Sequence, residues 1–396
     1  MSRALIPVLL VVFLDLIGFG IVIPLLTFYS EEYGASPMQV TLLMAVYSLA
    51  QFTFAPLWGA LSDRVGRRPV LLASIAATVV CLSGFAAADT LWLLFLFRTL
   101  HGACAANIST AQAAVADLTP PDKRAVGMGL IGAAFGVGFT LGPFLGGELS
   151  IYGYNAPIWL AAGLSMLNLA LAFFLLPETR HPGSTTRPRP LSPTAFLQVM
   201  RHPVVGLCVA LTFVLTISFA IMESSFTLFA EHVRGLGAVE VGRMFAIAGV
   251  VMILVQGGLI RPLVKRFGEA PLVPTGIALL AAGLAVLPLA APFGPMVTIF
   301  VLMAIGQGIS GPSLHAMISR GTDAAEQGFV LGTNQSMSAL ARGIGPALAG
   351  LLYEDISPSA PFFFSAAILV GGFILALLAV RRWSKKMQHR EASLPA

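Results

Sequence analysis

Charged side chains are scarce in this sequence of 396 residues. Asp, Glu, Lys and Arg make up 10% of it, whereas apolar residues make up 57%. A soluble domain has about 25% charged residues. A globule of this size cannot hide so much apolar surface from water, so the chain requires a lipid bilayer as a partner. The shortage of charge argues against a soluble enzyme, a disordered chain and a coiled coil. The net charge of +5 does not indicate nucleic-acid binding, because the basic residues lie mainly in loops between apolar runs.

Cysteine is also scarce, and the three present, Cys81, Cys104 and Cys208, lie within apolar runs. An odd number of buried thiols provides neither a disulfide framework nor a metal cluster. We expect no metal and no cofactor. The first apolar run extends from Ala4 to about residue 29. A cleaved signal peptide is the alternative, but the run is too long for one and contains Asp15, so we interpret it as the first membrane span.

Long apolar runs dominate the rest of the chain. A spanning helix needs about 20 residues, and lipid offers the backbone no hydrogen-bond partners, so each span must be a helix. The sequence predicts an all-α integral membrane protein with 12 transmembrane helices in two pseudo-symmetric six-helix bundles. The predicted spans are 5–29, 37–61, 69–88, 91–116, 125–149, 156–176, 203–230, 239–264, 271–290, 295–318, 327–352 and 361–381.

The basic residues set the expected orientation. Cytoplasmic loops of membrane proteins carry an excess of Lys and Arg. With the N-terminus in the cytoplasm, all but four of the 23 Lys and Arg residues lie in inner loops and tails. The four exceptions are Arg98, Arg234, Arg243 and Arg342. We therefore expect both termini in the cytoplasm of a multi-pass protein in the cell inner membrane.

A proline-rich segment divides the chain near its middle. Residues 177–203 contain six prolines and four arginines, which is typical of a linker. The predicted domains are an N-terminal bundle (1–176), a cytoplasmic linker (177–202), a C-terminal bundle (203–382) and a cytoplasmic tail (383–396). The two bundles also resemble each other, since Gly142-Pro143 recurs as Gly345-Pro346. Parallel repeats of this kind are typical of transporters, whose substrate site lies near the bilayer midplane.

The loop after the second span combines glycines, arginines and an acid at fixed spacing. A basic turn that follows the charge rule explains the arginines, but not the two glycines and the aspartate. An acid at a helix end can accept from the exposed N–H groups of a neighbouring helix, and the arginines can pair with it or with Asp117. We predict a conformational-switch loop made of Gly59, Asp63, Arg64, Gly66, Arg67, Arg68 and Asp117.

The fifth span carries a face of small residues, which lets another helix approach closely in lipid. Its proline removes a backbone hydrogen bond and favours a bend. Packing alone is one interpretation of this face, and a bendable interface that opens and seals during transport is the other. The residues concerned are Gly138, Gly142, Pro143, Gly146 and Gly147.

A charged residue deep inside a span costs about 2.5–3.5 kcal/mol on the insertion scale, and four such residues stand out in this sequence. Asp15 and Arg98 both fall near mid-depth, and Glu223 and Arg342 both fall in the outer third, so two ion pairs are possible. Purely structural pairs are the alternative to a role in transport. We regard all four as proton-coupling candidates.

Uncharged polar residues and histidines inside the spans are candidates for a substrate cavity. Each is also compatible with an ordinary helix–helix hydrogen bond, and the two histidines give only a weak indication of a metal site. These candidates are Tyr47, Gln51, His101, Asn107, Gln112, Gln256, Gln307, His315, Asn334 and Gln335.

Several of these segments resemble one transporter family. The loop 59–68 is similar to the G-x-x-x-D-R/K-x-G-R-R/K signature of the major facilitator superfamily. Residues 94–102 resemble its helix-4 motif, whose arginine is linked to proton transfer. Residues 138–147 resemble the helix-5 motif of exchangers. Residues 116–121 and Pro177-Glu178-Thr179 are similar to the twelve-helix drug:proton antiporters, including the tetracycline exporters.

The resemblance implies proton-coupled efflux of a small, partly apolar compound, such as a drug or secondary metabolite, by alternating access. The tetracycline exporters carry acids in helices 3 and 9, whereas this chain has none there, which argues against a metal–tetracycline substrate. An uptake symporter for a sugar or metabolite is the alternative. An intramembrane enzyme is a remote one, because the chain lacks H-E-x-x-H and G-x-S-x-G. The expected partners are the substrate, protons and lipid, with the chain acting as a monomer.

Overall fold

The described part of the chain is helical. The computed structural model describes residues 5–105, 107–119, 124–179, 193–291, 293–322 and 327–392. Its α-helices are α1 (Leu5–Glu31), α2 (Pro37–Val65), α3 (Arg67–Ala86), α4 (Leu91–Cys104), α5 (Asn107–Leu118), α6 (Arg124–Leu149), α7 (Asn155–Leu175), α8 (Pro193–Arg201), α9 (Val205–Arg234), α10 (Ala238–Leu254), α11 (Ile260–Phe267), α12 (Leu272–Val286), α13 (Phe293–Gly321), α14 (Gln327–Asp355) and α15 (Ala360–Ala392).

Most predicted spans coincide with long apolar helices. Among the described residues, ten helical segments are long and apolar enough to cross a membrane. α4 is apolar but shorter, since the fourth predicted span, 91–116, is divided between α4 and α5. The predicted span 239–264 is also interrupted, because the π-helix Val255–Leu259 separates α10 from α11. The all-helical membrane fold is confirmed, and these two spans are not the continuous α-helices that we predicted.

Local sequence explains several helix ends. Ser36 caps α2, since its side chain accepts from the Gln39 N–H while the Gln39 side chain accepts from the Ser36 N–H, and Pro37 follows at the first helical position. This is a capping box. Gly66 separates α2 from α3 with φ of 115°, a conformation that L side chains rarely adopt. The turn between the second and third spans therefore requires glycine.

The chain forms two compact units. The first contains residues 1–186 and 224–250, and the second contains residues 187–223 and 251–396. Both α9 and α10 thus contribute to both units. The predicted domain limits at 176 and 203 stay a prediction, and residues 180–192 of the predicted linker and 393–396 of the tail lie outside the described residues.

In the first unit, α1 is the central helix. It packs against α6 and α7, while α3 packs against α7 and α4, and α2 against α4. Nineteen of the residues of α1 are buried, so a polar residue on this helix lies in an apolar setting. In the second unit, α12 packs against α13 and α15.

Candidate functional site

Asp15 is a part-buried acid in the middle of α1. Its Oδ1 accepts a hydrogen bond of 2.6 Å from Nδ2 of Asn107, the first residue of α5. Asn107 is 3% exposed. Two residues that were predicted separately, one as a proton carrier and one as a cavity residue, therefore form a direct contact.

The contact lies where the fourth predicted span is broken. α4 ends at Cys104 and α5 begins at Asn107. The end of an α-helix leaves carbonyl groups without helical partners, and inside a membrane such groups must be satisfied by protein or water. Trp58 Nε1 donates to the Ala103 carbonyl at 2.7 Å, and Ser74 Oγ donates to the Cys104 carbonyl at 2.6 Å. Side chains of α2 and α3 thus stabilise the break beside Asp15.

Arg98 of α4 is 3% exposed and lies among aromatic rings. Its guanidinium carbon is 4.4 Å from the ring centroid of Tyr47 and 6.0 Å from that of Phe19. A cation over a ring face is attracted by about 2 kcal/mol when both are desolvated. The His101 ring packs edge-on against Tyr47, with the centroids 5.1 Å apart. Phe19 lies one turn after Asp15 on α1, so these groups form one region of the first unit. An ion pair between Asp15 and Arg98 stays a prediction.

The other cavity candidates are distributed over both units, and their roles stay predictions. In the first unit, Gln51 and Gln112 are part-buried. In the second, Asn334 is 2% exposed and Gln307 lines a small internal cavity together with Ser218. The remaining cavity candidates lie as follows: Gln256 in the π-helix, His315 exposed on α13 and Gln335 exposed on α14. The proton-coupling candidates Glu223 and Arg342 are part-buried on α9 and α14.

The predicted switch loop forms a charge cluster around Arg67. Its Nη1 lies 2.6 Å from Asp63 Oδ1 and its Nε lies 3.2 Å from Asp117 Oδ2. Nη1 also donates to Ser62 Oγ at 2.6 Å. Arg67 therefore connects the end of α2 with the end of α5, and both acids proposed from the sequence as arginine partners contact it. Gly59 lies in the last turns of α2, whereas Arg64 is exposed.

A further residue of this cluster, Glu178, was noted only as part of a family resemblance. Its Oε1 accepts from the Arg67 N–H at 2.9 Å and its Oε2 accepts from the Arg68 N–H at 3.2 Å. A carboxylate at a helix N-terminus satisfies free N–H groups and complements the helix dipole. Arg68 in turn donates to the Phe173 carbonyl at 2.7 Å. Glu178, rather than Asp63, is the anion at the start of α3.

The small-residue face of α6 packs on α1. A Cβ atom added at Gly142 would lie 2.6 Å from the backbone of Gly20, and one at Gly138 would lie 2.7 Å from Leu16 Cβ. The face continues to Gly146, which lies against Ile21. These distances are shorter than real Cβ contacts, so the close approach of α1 and α6 requires glycine. Pro143 is buried inside α6.

The last glycine of this face contacts a helix from the other half of the sequence. A Cβ atom added at Gly147 would lie 2.7 Å from the Ala238 carbonyl and 3.2 Å from Gly242 Cα on α10. Nearby, Arg243 of α10 pairs with Glu148 of α6, with Nε and Oε1 2.6 Å apart. The glycine motif therefore packs α6 against two helices of the first unit.

A titratable cluster that the sequence did not reveal joins the ends of α1 and α9. His232 Nε2 lies 3.0 Å from Glu31 Oε1, and the carboxyl group of Glu231 lies beside that of Glu31. Ligand atoms of the three residues lie within 4.8 Å of one another. Burial first, and then the negative charges of Glu231, Glu32 and Glu31, raise the pKa of Tyr154, which precedes α7. Glu31 and Glu231 are separated by 200 positions, and no local sequence pattern relates them.

Known proteins confirm the class that the helices and the motifs define. The model of the Major Facilitator Superfamily matches residues 8–262 and 257–393, so the chain belongs to this family of membrane transporters. The chain is 34% identical to the class C tetracycline resistance protein of Escherichia coli, over 97% of this chain and 98% of that protein. It is 26% identical to multidrug resistance protein 2 of Bacillus subtilis (strain 168), over 95% and 94% of the two chains.

Among solved structures, the human organic anion transporter MFSD10 (TETRAN) is similar over 94% of this chain and 99% of its own. The TM-score is 0.72 and the sequence identity is 26%.

Proposed function

We propose that the chain is a proton-coupled exporter of small, partly apolar organic compounds. The relatives named for resistance to tetracycline and to several drugs support efflux. Neither α3 nor α12 contains an acidic residue, whereas the resemblance implies acids there in tetracycline exporters. The proposed substrate is therefore a compound that is transported without a bound metal ion.

The observation that carries the proposal is the contact of Asp15 with Asn107. An acid inside a membrane span is costly unless it is paired or hydrated, and this one faces a helix break with buried polar groups. Asp15 can take up a proton on one side of the membrane and release it on the other. Arg98 lies against Tyr47 and against Phe19, which is one turn after Asp15 on α1. Its charge is what makes the proton affinity of Asp15 depend on conformation. Glu223 and Arg342 are the reserve candidates in the second unit.

The switch loop and the glycine face supply the conformational steps. Arg67 and Glu178 fix the start of α3 to the ends of α2, α5 and α7, so breaking these bonds releases one end of α3. Close packing of α6 on α1 and α10 provides an interface of small residues whose separation breaks one exposed ion pair, Glu148–Arg243. Both devices act on the rate of alternating access and not on substrate affinity.

The proposed setting is the cell inner membrane, with both termini in the cytoplasm and the chain acting as a monomer. The arginines of the switch loop and of the C-terminal tail support this orientation. The two six-helix halves, joined by a linker at 177–202, are the proposed rigid elements. The chain is proposed to need no cofactor, since the proton gradient supplies the energy.

A deletion strain tests the export proposal. Growth inhibition and cellular accumulation are measured for a panel that contains tetracyclines, lipophilic cations and organic anions. Export predicts that deletion raises accumulation of at least one compound and that an uncoupler abolishes the difference. Lower accumulation after deletion instead supports the alternative, a proton-coupled uptake symporter. A chelator separates free compounds from metal complexes, because only the transport of a metal complex depends on the metal.

A further inference from the structure

The side-chain amide of Asn107 has one paired and one unpaired polar atom. Its Nδ2 donates to the Asp15 carboxylate at 2.6 Å. Its Oδ1 is buried and, within the part of the chain that the structure describes, has no hydrogen-bond partner. A buried polar atom without a partner costs about 1–3 kcal/mol. This acceptor belongs to the same amide that binds Asp15, so we interpret it as an atom that is used in another state of the protein.

The chemistry of the two groups identifies that state. An ionised carboxylate only accepts hydrogen bonds, whereas a protonated carboxyl group has an O–H donor. The amide of Asn107 offers a donor for the first form and an acceptor, Oδ1, for the second. We propose that Asn107 is the positioning residue for Asp15, and that its amide binds the carboxyl group in both protonation states of the transport cycle. This inference rests on the proposed role of Asp15 as a proton carrier.

Among the described residues, few other charged groups lie near this contact. On α4, Arg98 and His101 lie near it through Phe19 and Tyr47. The two helices that pack most closely on α1 carry no charge at this level, because α6 has charged residues only at its ends and α7 has none. On α5 the charged residue is Asp117 at the far end, and on α2 the charges lie at the far end as well. Asn107 is thus the direct polar partner through which the proton affinity of Asp15 can be tuned.

The chain offers a matched control. Asn168 on α7 is 1% exposed, and its Nδ2 donates to the Val11 carbonyl, also on α1, at 3.1 Å. Both asparagines are buried and both bind α1, but only Asn107 contacts a titratable group. Asn107→Leu and Asn168→Leu each remove one amide that hydrogen-bonds to α1, so a general loosening of α1 affects both variants.

Infrared difference spectroscopy of the purified full-length protein, without substrate, provides the test. The carboxyl band that Asp15→Asn removes is assigned to Asp15 and titrated with pH. Asn107→Leu removes the bond to the charged form, which is the stronger of the two, so the midpoint should move upward by about one pH unit. Asn168→Leu should leave the midpoint unchanged. If Asn107→Leu does not fold, Asn107→Ala replaces it, and the same upward shift of the midpoint is expected.

Three other results would overturn the positioning role of Asn107 or the proton-carrier role of Asp15. A midpoint that stays unchanged in both Asn107 variants overturns the positioning role alone. An equal shift in Asn168→Leu shows that α1 has loosened, and it also overturns that role. If Asp15→Asn removes no band, then Asp15 does not titrate, and the proton-carrier role in the proposed function fails as well.

Discussion

Glu178 accepts a hydrogen bond from the backbone N–H of Arg67 at 2.9 Å, across 111 positions of the sequence. The contact places a carboxylate at the first turn of α3, where the side chain of the same Arg67 pairs with Asp63 and Asp117. One residue thus links the ends of three helices through its side chain and a fourth segment through its backbone. A proposed conformational switch requires that such a cluster breaks in another state of the protein.

The first prediction concerns this cluster. Asp63→Asn and Glu178→Gln should each slow transport severalfold, because each weakens a charge-assisted bond worth about 1.5–3 kcal/mol before solvent screening. Equilibrium substrate binding should change little, since the cluster lies at helix ends remote from Asp15. Transport rates in proteoliposomes and binding to purified protein separate the two effects. Asp89→Asn is the control, because Asp89 is an exposed acid beyond the other end of α3. A large loss of binding with normal turnover contradicts the switch role.

The second prediction concerns the face of α6. Gly142→Ala introduces a Cβ atom 2.6 Å from the Gly20 backbone, so α1 and α6 must separate, at a cost of about 1–3 kcal/mol. We expect a lower melting temperature and a loss of most transport activity. Gly132→Ala on the same helix is the control, since nothing lies within 4 Å of its added Cβ atom. If both variants transport like the parent, the closely packed interface has no role in the cycle.

The third prediction concerns the pH dependence of the Glu31–Glu231 contact. Two carboxyl groups hydrogen-bond to each other only if one of them holds a proton. We expect the pair to share such a proton at low pH and to lose it as the pH rises, together with a contribution to stability of about 1 kcal/mol. Melting temperatures of the purified protein over a pH series measure this loss.

Glu231→Gln makes the same bond without a proton, because the amide is a permanent donor. This variant should remove part of the pH dependence of the melting temperature. Glu32→Gln, at a neighbouring position, should retain it. Equal pH profiles for the parent and Glu231→Gln show that the pair does not share a proton. A zinc-dependent rise in melting temperature that Glu231→Gln abolishes shows instead that the cluster, together with His232, binds a metal ion.

The sequence contains enough information for the fold but only part of the site. The length and apolarity of each run locate the spans, because the thickness and the apolar interior of a bilayer set both properties of a spanning helix. Local spacing also suggested the partners of Arg67, since the loop and Asp117 each lie at a predicted helix end. The break between Cys104 and Asn107 was missed, because the described residues on either side include neither glycine nor proline immediately at the break. It depends on Trp58 and Ser74, which reach it only in the folded protein.

Two further contacts depend on tertiary structure in the same way. Glu31 and Glu231 meet although 200 positions separate them, and both lie at helix ends where a sequence pattern indicates only solvent-exposed acids. The π-helix at 255–259 also has no local signal in the sequence beyond the adjacent glycines Gly257 and Gly258. Apolar periodicity identifies helices, but it does not indicate where one helix changes its hydrogen-bond pattern.

The most direct test of the account is proton-driven transport by Asp15→Asn in proteoliposomes, with a compound from the panel that the parent protein transports. The variant keeps the shape of the side chain and removes its titration. The account predicts that an imposed pH gradient no longer drives accumulation, while downhill exchange of the same compound continues. Asn168→Asp, which adds an acid elsewhere in the first unit, should not restore coupling in that background. Undiminished proton-driven accumulation by Asp15→Asn contradicts the central claim, and Glu223→Gln in the same assay then shows whether coupling lies in the second unit.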